Sequence, residues 1–314
     1  MIPLTQIRID TDNINNAIYS KWPKGHFLVP NLTNKIVLVI IMIIFLIYYK
    51  SYLMKRAKLI LSTDTLSWYG LDLVFQIAQK TWYDGIDLAL WKNFDSRNVN
   101  YVKQLQDKYE LCVCAIQVSS NPNIKEMNIA IDLARALWCD TISINSPNIF
   151  NVKSYNFLSD NLSEYRTENP NIKFTIINPP KENLFLLPIS KYRFSNIIDI
   201  IKVHHSYLGM DISHIDESTT ENELIKKLPS LVPYMSIVYL SDRSKNGAWH
   251  LPLWDGELKL SPILKKLKQL DFEGYIAIKL QLDKVDLADQ TRVEDILQKC
   301  KNYYTEHYKN IAVE

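Results

Sequence analysis

Tyr207-Leu-Gly-Met-Asp211-Ile-Ser-His214 is a short apolar run that ends in a carboxylate, with a histidine three residues further on. A helical pattern precedes this run and another follows it. An apolar run of this length between two amphipathic helices is typical of one strand of a parallel α/β fold. The run therefore predicts a buried strand that presents Asp211 and His214 at its carboxyl end.

From residue 59 onward, strand-like and helix-like segments alternate eight times. The strand-like segments are 59–63, 86–90, 111–117, 141–145, 173–177, 207–211, 235–240 and 275–280. The helical patterns fall at 70–81, 98–109, 125–138, 156–168, 194–203, 219–228, 262–270 and 293–304. Eight β-α units of this size predict an α/β protein with a closed (β/α)8 TIM barrel over residues 59–305, followed by a C-terminal tail at 306–314.

The chain before the barrel divides into a lead segment, residues 1–34, and a strongly apolar stretch. Residues 36–49 carry no charge and lie between Lys35 and Lys50. Extended to residue 54, the stretch approaches membrane-spanning length, because the Lys50 stem and three nearby tyrosines suit a bilayer interface. We predict a single-pass transmembrane helix over 35–54, with the membrane as a partner; a buried helix or strand of the globular domain is the alternative. The slight excess of basic residues after the stretch favours a cytoplasmic barrel.

Charge and composition argue against several classes of function. The 314 residues carry a net charge of +2 with a pI of about 8.1, so no strongly basic field is available to bind nucleic acid, and no nucleic-acid partner is expected. The 7 glycines form neither a dinucleotide fingerprint nor a P-loop. The four cysteines lack zinc or redox spacing, and three of them fall in apolar segments, as small buried residues do.

In a TIM barrel the carboxyl ends of the strands form the site, so the last inward-facing residue of each strand matters most. Strand alternation places a mostly polar set at these positions, whereas a packed core would place aliphatic residues there. The pattern therefore predicts a ligand-binding mouth formed by Asp64, Asp87, Gln117, Asn145, Ile177, Asp211, Tyr239 and Lys279.

Five stretches along residues 59–305 also resemble motifs of the xylose isomerase-like TIM-barrel superfamily, which includes sugar-phosphate isomerases and epimerases and the endonuclease IV group. Each motif alone is weak, and it is their order along the chain that is specific. The stretches are Trp82-Tyr-Asp-Gly-Ile-Asp87, Gly209-Met-Asp-Ile-Ser-His214, Val238-Tyr-Leu-Ser-Asp242, His250-Leu-Pro-Leu-Trp-Asp-Gly256 and Asp271-Phe-Glu-Gly-Tyr-Ile-Ala-Ile-Lys279.

The resemblance implies a divalent metal bound by Glu, Asp, His and Glu from strands five to eight, with the glutamates moving a proton beside a carbonyl group. This chain keeps the aspartate as Asp211, with His214 nearby, but has Ile177, Tyr239 and Lys279 at the other three positions. An ammonium group there repels a dication at low effective dielectric. We therefore expect no cofactor, with Lys279 in the cation's place and paired with Asp211 or Asp87. A divalent metal, were one to bind, would use Asp211 and His214.

One interpretation is a membrane-anchored barrel that binds a sugar-like or polyol ligand, with the family's metal-dependent isomerase chemistry lost or altered. Hydrogen bonds to hydroxyl groups and stacking on a sugar face require polar and aromatic side chains. Trp254 or Trp91 could supply the aromatic ring that stacks on a sugar face. The predicted substrate-binding residues are Asp87, Gln117, Asn145, Asn178, Tyr239, His250 and Trp254.

The alternative is an active sugar (phosphate) isomerase, epimerase or lyase. Here Lys279 would act as a Schiff-base amine or general base, and His214 or His250 would shuttle a proton. The catalytic candidates are Lys279, Asp211 and His214. DNA repair of the endonuclease IV kind is disfavoured, because it needs a histidine and carboxylate cluster for several zinc ions and a basic DNA-binding face. A scaffold that binds a protein partner is the remaining class, and the sequence leaves open whether the protein is an enzyme.

Overall fold

The computed structural model describes residues 57–91, 94–146, 152–179, 182–184, 187–189, 197–215, 221–245 and 247–311. The lead segment at 1–34 and the transmembrane helix predicted over 35–54 lie outside these ranges. Within them, no helix has both the length and the apolar character that crossing a bilayer requires.

Eight parallel strands close into a barrel, which confirms the predicted fold class. Their order around the ring follows the chain, and the last strand pairs with the first. Strands β1 to β8 are Lys58–Ser62, Gly85–Ala89, Val113–Val118, Thr141–Asn145, Lys173–Ile177, Tyr207–Asp211, Met235–Leu240 and Tyr275–Ile278. Four of the eight predicted strands, the fourth to the seventh, have the bounds that the sequence indicated.

Helices on the outside of the barrel connect the strands. In the described part of the chain, helices α1 to α9 are Leu71–Lys80, Val99–Tyr109, Ile124–Leu137, Val152–Glu168, Ile197–His204, Glu221–Leu231, Leu260–Gln269, Lys284–Ala288 and Gln290–Tyr304. Several begin at a side-chain cap. The side-chain oxygen of Asn98 accepts from the Tyr101 amide at 3.1 Å, and that of Asn123 accepts from the Glu126 amide at 3.0 Å. Each cap therefore satisfies an amide that the first helical turn leaves free.

Two strand ends differ from the prediction by two residues, and in each case a hydrogen bond explains the difference. Helix α2 ends with Glu110 in the left-handed conformation, and the Leu111 amide bonds back to Gln106, so β3 begins at Val113 and not at residue 111. Strand β8 ends at Ile278, because the Leu280 amide bonds to the Thr65 hydroxyl at 3.0 Å and leaves the ladder.

Buried residues form two layers. Residues on the outer face of the strands pack against the helices in one large apolar cluster. A smaller cluster, which includes Ile60, Ala115, Ile237 and Ala277, fills the inside of the barrel. Its narrow cross-section favours glycine in β6, because a Cβ atom on Gly209 would lie 3.0 Å from the Thr175 methyl group.

The strand register places the polar strand ends in one layer above this apolar interior. Ser62 pairs with Asp87 across β1 and β2, and Asp211 pairs with Tyr239 across β6 and β7. Residues paired in adjacent parallel strands point to the same side of the sheet. The fold therefore brings the polar side chains of distant strands together at the carboxyl end of the barrel.

Candidate functional site

The Asp211 carboxylate is the centre of a buried polar cluster at the end of β6. Asp211 is 0% exposed, and its Oδ1 atom accepts hydrogen bonds from the Ser213 amide at 3.1 Å and the Ser213 hydroxyl at 2.8 Å. These bonds cap the 3-10 turn Ile212–His214 that follows the strand. The turn directs His214 back toward the strand, with Nδ1 of His214 3.7 Å from Oδ2 of Asp211.

Asn178, which follows β5, fixes both Asp211 and His214. Its side-chain amide donates to the Asp211 carbonyl at 3.0 Å, and its side-chain oxygen accepts from the Asp211 main-chain amide. The main-chain carbonyl of Asn178 lies 3.0 Å from Nδ1 of His214 and accepts its proton. Asn178 was predicted to bind substrate, but in the structure its polar groups bond to these two residues and hold the cluster in place.

His250 reaches the cluster from a hairpin, Asp242–Arg243 with Trp249–Leu251, that follows β7. The Asp242 carboxylate accepts from the amides of Gly256 at 3.0 Å and Leu258 at 2.9 Å, which closes the loop that carries the hairpin. The carbonyl of His250 accepts from the Gln281 amide at 2.7 Å, which ties the hairpin to the segment after β8. Nε2 of His250 lies 3.9 Å from Oδ2 of Asp211.

The two histidine rings lie next to each other beside Asp211. The His214 and His250 ring centroids are 5.2 Å apart, and Trp249 packs edge-on against His214 with 5.5 Å between centroids. Nδ1 of His250 lies 3.2 Å from the Ser213 hydroxyl and 3.1 Å from the Ser241 hydroxyl. The His250 ring is thus fixed on the side away from the carboxylate.

Burial and charge set the protonation of the cluster. Burial alone would raise the pKa of the Asp211 carboxyl, but the attraction of His214, His250 and Lys279 and the Ser213 hydrogen bond together lower it below its usual value. Burial lowers the pKa of His250 to about 4. Near neutral pH the cluster therefore combines an ionised Asp211 with a neutral His250.

Lys279 follows β8 and is 7% exposed. Its ammonium group lies 3.7 Å from the Asp64 carboxylate and 5.2 Å from the centroid of the Tyr239 ring. The predicted pairing of Lys279 with Asp211 or Asp87 was therefore wrong in its partner. The reason is topological: β8 is next to β1 in the ring, so the turn after β1 brings Asp64 closer to Lys279 than residues of β6 or β2.

Asp87 and Gln117 form a second polar group inside the barrel, and both are 0% exposed. The Gln117 amide donates to Oδ2 of Asp87 and to the Ser62 hydroxyl. Oδ1 of Asp87 and Oε1 of Gln117 have no hydrogen-bond partner in the described part of the chain. Burial raises the pKa of Asp87 to about 6, so this carboxyl titrates close to neutral pH.

A cavity of about 560 Å³ adjoins the cluster on the side of β8 and β1. Its lining includes His250, Lys279 and Asp64, together with the segment after β8. Trp68, which is 69% exposed, also lines it, and the Lys284 ammonium lies 5.8 Å from the Trp68 ring centroid. This volume is within the range of small-molecule sites.

The structure separates the predicted site residues into groups. Tyr239 is fully buried inside the barrel, and burial raises the pKa of its hydroxyl well above 10. The Asn145 side chain donates to the Val118 carbonyl at 3.3 Å. Trp254 is 43% exposed and makes no hydrogen bond, ion pair or ring contact with the Asp211 cluster within the described residues. Trp68 takes the place at the cavity that the sequence assigned to Trp254.

Sequence reasoning missed four residues of the site: Ser213, Ser241, Trp249 and Trp68. Ser213 lies inside the stretch that ends at His214, and a serine two residues after a strand-end aspartate is the local signal of a capped turn. Ser241 lies between β7 and the hairpin, Trp249 in the hairpin and Trp68 in the turn before α1, and none of these short segments has a period that indicates the orientation of a side chain.

The residues present do not fit the four-ligand metal set that the resemblance implies. Ile177 and Tyr239 supply neither carboxylate nor imidazole, and the Lys279 ammonium at about 4 Å would repel a dication by about 8 kcal/mol at an effective dielectric constant of about 20. A different group is available. The ligand atoms of Asp211, His214 and His250 all lie within 4.8 Å of one another.

No protein-family model matches the sequence. An uncharacterised protein of Methanocaldococcus jannaschii is 21% identical over 222 residues, which cover 64% of this chain and 74% of that protein. An uncharacterised protein of Mycobacterium leprae is 20% identical over 277 residues, which cover 78% of this chain and 97% of that protein.

Solved structures share the fold across most of the barrel. The IolI protein with a bound zinc atom has a TM-score of 0.61 and 13% identity, covering 80% of this chain and 99% of its own. A xylose isomerase domain protein from Alicyclobacillus acidocaldarius has a TM-score of 0.61 and 15% identity, covering 80% and 98%. The 3-keto-D-glucoside 4-epimerase YcjR from E. coli has a TM-score of 0.58 and 13% identity, covering 79% and 100%. The chain therefore has the fold of the xylose isomerase-like TIM barrels.

Proposed function

We propose that the barrel binds a sugar-like or polyol small molecule at the carboxyl end of its strands. The single observation that carries this proposal is the cavity of about 560 Å³ in which His250, Lys279 and Asp64 meet next to the buried Asp211. A polyol presents hydroxyl groups that both donate and accept hydrogen bonds. The ammonium, the carboxylate and the imidazole offer both kinds of partner.

The exposed face of Trp68 gives the proposed ligand an apolar platform. A sugar ring has an apolar face of C–H groups, and Trp68 lies at the rim of the same cavity as Lys279. The fold likeness to an epimerase that acts on a 3-keto-D-glucoside supports a carbohydrate-like ligand. We assign the stacking role to Trp68 and not to Trp254.

Ligand binding by the full chain can be measured by titration calorimetry with a panel of pentoses, hexoses, inositols and their phosphates. We expect Lys279→Met to weaken the binding of the best ligand by at least about tenfold, since a hydrogen bond to a charged group contributes about 1.5–3 kcal/mol. Trp68→Ala should weaken it as well, because the substitution removes the apolar platform for the sugar face. Lys299→Met removes an exposed lysine, and Trp254→Ala removes an exposed tryptophan outside the cavity, so both should leave affinity unchanged. Equal affinity of all four variants would contradict the proposal.

Proton transfer on the bound ligand, as in an isomerase, epimerase or lyase, is the second candidate function. The neutral His250 beside the ionised Asp211 favours it, because an imidazole with a free nitrogen lone pair can accept a proton from a carbon next to a carbonyl group. Lys279 is the alternative base, or a Schiff-base amine once it has lost its proton. His214 would then pass the proton onward.

Two measurements separate binding alone from chemistry. Incubation of a bound ketose or aldose in deuterium oxide should exchange a carbon-bound hydrogen in the wild type but not in His250→Asn. Borohydride treatment followed by peptide mass spectrometry should place a reduced adduct on Lys279 if a Schiff base forms. Tight binding without either result would leave a sugar-binding protein and exclude both routes.

Attachment to a membrane through residues 35–54 is part of the proposal and rests on the sequence alone. Lys35 and Lys50 bracket a stretch without charge. In cell fractionation we expect the full chain to stay with the membrane pellet after alkaline carbonate extraction, and a chain without residues 1–54 to leave it. Release of the full chain by carbonate would contradict the prediction.

A further inference from the structure

We propose that a second cavity, at the amino end of the barrel strands, binds a small molecule that carries a phosphate group. The cavity has a volume of about 630 Å³, and residues at the ends of α4 and α5 and at the starts of β5 and β6 line it. Tyr207, one of these residues, lies four positions before Asp211 on β6, which is about 13 Å at about 3.3 Å per residue. This cavity is therefore separate from the candidate site at the carboxyl end.

The lining of the second cavity is basic. None of its lining residues in the described chain is acidic, whereas four carry a guanidinium, an ammonium or an imidazole: Arg166, Lys173, Lys202 and His205. Lys173 pairs at 3.0 Å with Asp140, which does not line the cavity. Arg166 and Lys202 have no ion-pair partner among the described residues. Two cationic groups are therefore left for a ligand.

The dipoles of α4 and α5 do not account for these two cations. A basic side chain in the last turn of a helix offsets the partial negative charge there, which is about half an elementary charge. Two full positive charges against two such helix ends leave the cavity with about one net positive charge. Helices α1 and α2 also end with a lysine, but Lys80 and Lys108 each pair with a carboxylate, at 2.5 Å and 2.7 Å.

A buried hydroxyl without a partner is the second observation that points to a ligand. Ser206 lines the same cavity and is 7% exposed. Its hydroxyl has no hydrogen-bond partner in the part of the chain that the structure describes. A buried hydroxyl that makes no hydrogen bond destabilises the fold. An anionic oxygen in the cavity would accept its proton.

The end of α5 holds Ser206 next to the basic residues. His205 has a left-handed backbone with φ of 46°. Its amide donates to the Lys202 carbonyl at 3.2 Å, and the Ser206 amide donates to the Ile201 carbonyl at 3.0 Å. These two bonds are those of a Schellman motif, which ends a helix and turns the chain away from its axis. The turn leads directly into β6, so that Lys202 and Ser206 line one cavity.

The donor groups select a phosphate. The guanidinium of Arg166, the ammonium of Lys202 and the hydroxyl of Ser206 are three separate donors, which match the three oxygens of a phosphate monoester better than the two of a carboxylate. A phosphate monoester also carries a charge of about −1.5 to −2 at pH 7. Tyr207 and Tyr234, each 39% exposed, give the cavity an aromatic wall. The expected ligand is therefore a phosphate monoester with an apolar or ring portion.

Equilibrium dialysis of the full chain with radiolabelled inorganic phosphate at low ionic strength tests the site. We expect one phosphate per chain and an affinity at least about tenfold lower in Arg166→Gln, because a charged donor is lost. Arg135→Gln is the matched control, since Arg135 is an exposed arginine in the last turn of α3 and outside the cavity. It should bind phosphate like the wild type. A wild type without saturable binding at millimolar phosphate, or equal affinity of the two variants, would overturn the inference.

Ser206→Ala separates ligand binding from a structural role. Without phosphate the variant should be at least as stable as the wild type in urea unfolding, because it loses a hydroxyl that has no partner among the described residues. Its affinity for inorganic phosphate should fall by about two- to tenfold, as expected for one neutral hydrogen bond. An unchanged phosphate affinity would contradict the inference.

Two further ligands identify the rest of the molecule. Phenyl phosphate should bind more tightly than inorganic phosphate and lose this advantage in Tyr234→Ala, because its ring would pack on the aromatic wall. Soluble dihexanoyl phosphatidic acid, measured in parallel, distinguishes a lipid headgroup from a free phosphate monoester. Binding of either compound that Arg166→Gln weakens supports the inference, and binding that Arg166→Gln leaves unchanged would contradict it.

The inference goes beyond the proposed function and does not depend on it, because the two cavities lie at opposite ends of the barrel. Arg166→Gln should bind an unphosphorylated sugar like the wild type. Loss of phosphate binding and loss of sugar binding are therefore distinguishable.

Discussion

Replacing Asp87 with asparagine is expected to stabilise the protein at neutral pH. Asp87 is 0% exposed, and burial raises the pKa of its carboxyl from 3.8 to about 6. Asparagine keeps an oxygen that can accept the hydrogen bond from Gln117, and it has no charge to remove from water. The substitution therefore removes an energetic penalty while keeping the main contact.

The sign and size follow from the two pKa values. Between pH 3.8 and about 6 the folded state keeps a proton that the unfolded state releases, so the stability of the wild type falls as pH rises through this window. The full difference between the two pKa values lowers the free energy of unfolding of the wild type by about 3 kcal/mol at pH 8. About half of this loss is already present at pH 5. The gain from Asp87→Asn should follow the same curve, small at low pH and largest above pH 7.

The assay is urea unfolding of the full chain, wild type and variant, at pH 5 and pH 8. The exposed carboxylate of Asp295, paired with Lys299 at 2.8 Å on α9, gives the control: Asp295→Asn should change the free energy of unfolding by no more than about 0.5 kcal/mol at either pH. If Asp87→Asn is less stable than the wild type at pH 8, or gains equally at both pH values, then burial does not dominate the environment of Asp87.

Two further predictions concern the fold. Gly85→Ala should destabilise the barrel by about 3 kcal/mol in urea unfolding, because the new Cβ would lie 2.7 Å from the Cys112 carbonyl oxygen. The control, Gly70→Ala, places a Cβ with nothing within 4 Å and should change stability little. Similar losses at both positions would contradict the packing argument. Tyr304→Phe removes a hydrogen bond of 2.9 Å to the Ala57 carbonyl and should lower the free energy of unfolding by about 1–2 kcal/mol. An unchanged urea midpoint would show that water replaces the hydroxyl.

The sequence predicted the barrel well, because the signals for strands and helices are local. A run such as Tyr207–Asp211 is apolar on both faces and can only be satisfied inside a sheet covered by helices. Alternation along each strand also predicted which residues end the strands on the inner side. Asp87, Gln117, Asp211, Tyr239 and Lys279 all occupy buried positions at that end of the barrel.

The partners of those residues were predicted less well. The pairing of Lys279 with Asp64 depends on which strands are neighbours when the ring closes, and the position of Trp68 at the cavity depends on the turn before α1. Trp254 has the aromatic side chain that stacking requires, yet its loop leaves it outside the polar cluster. Sequence spacing does not encode any of these three placements.

By itself the sequence determined the order of strands and helices, the polar character of the mouth and the residue types Ile177, Tyr239 and Lys279 at three positions where the resemblance implies metal ligands, because each is a property of residue type and local period. The tertiary structure alone decided that a hairpin after β7 brings His250 to within 3.9 Å of Asp211, and that the main-chain carbonyl of Asn178 accepts the proton of His214 Nδ1. The physical reason is that hydrogen bonds and charge pairs act over a few ångströms in space, whatever the separation of the residues along the chain.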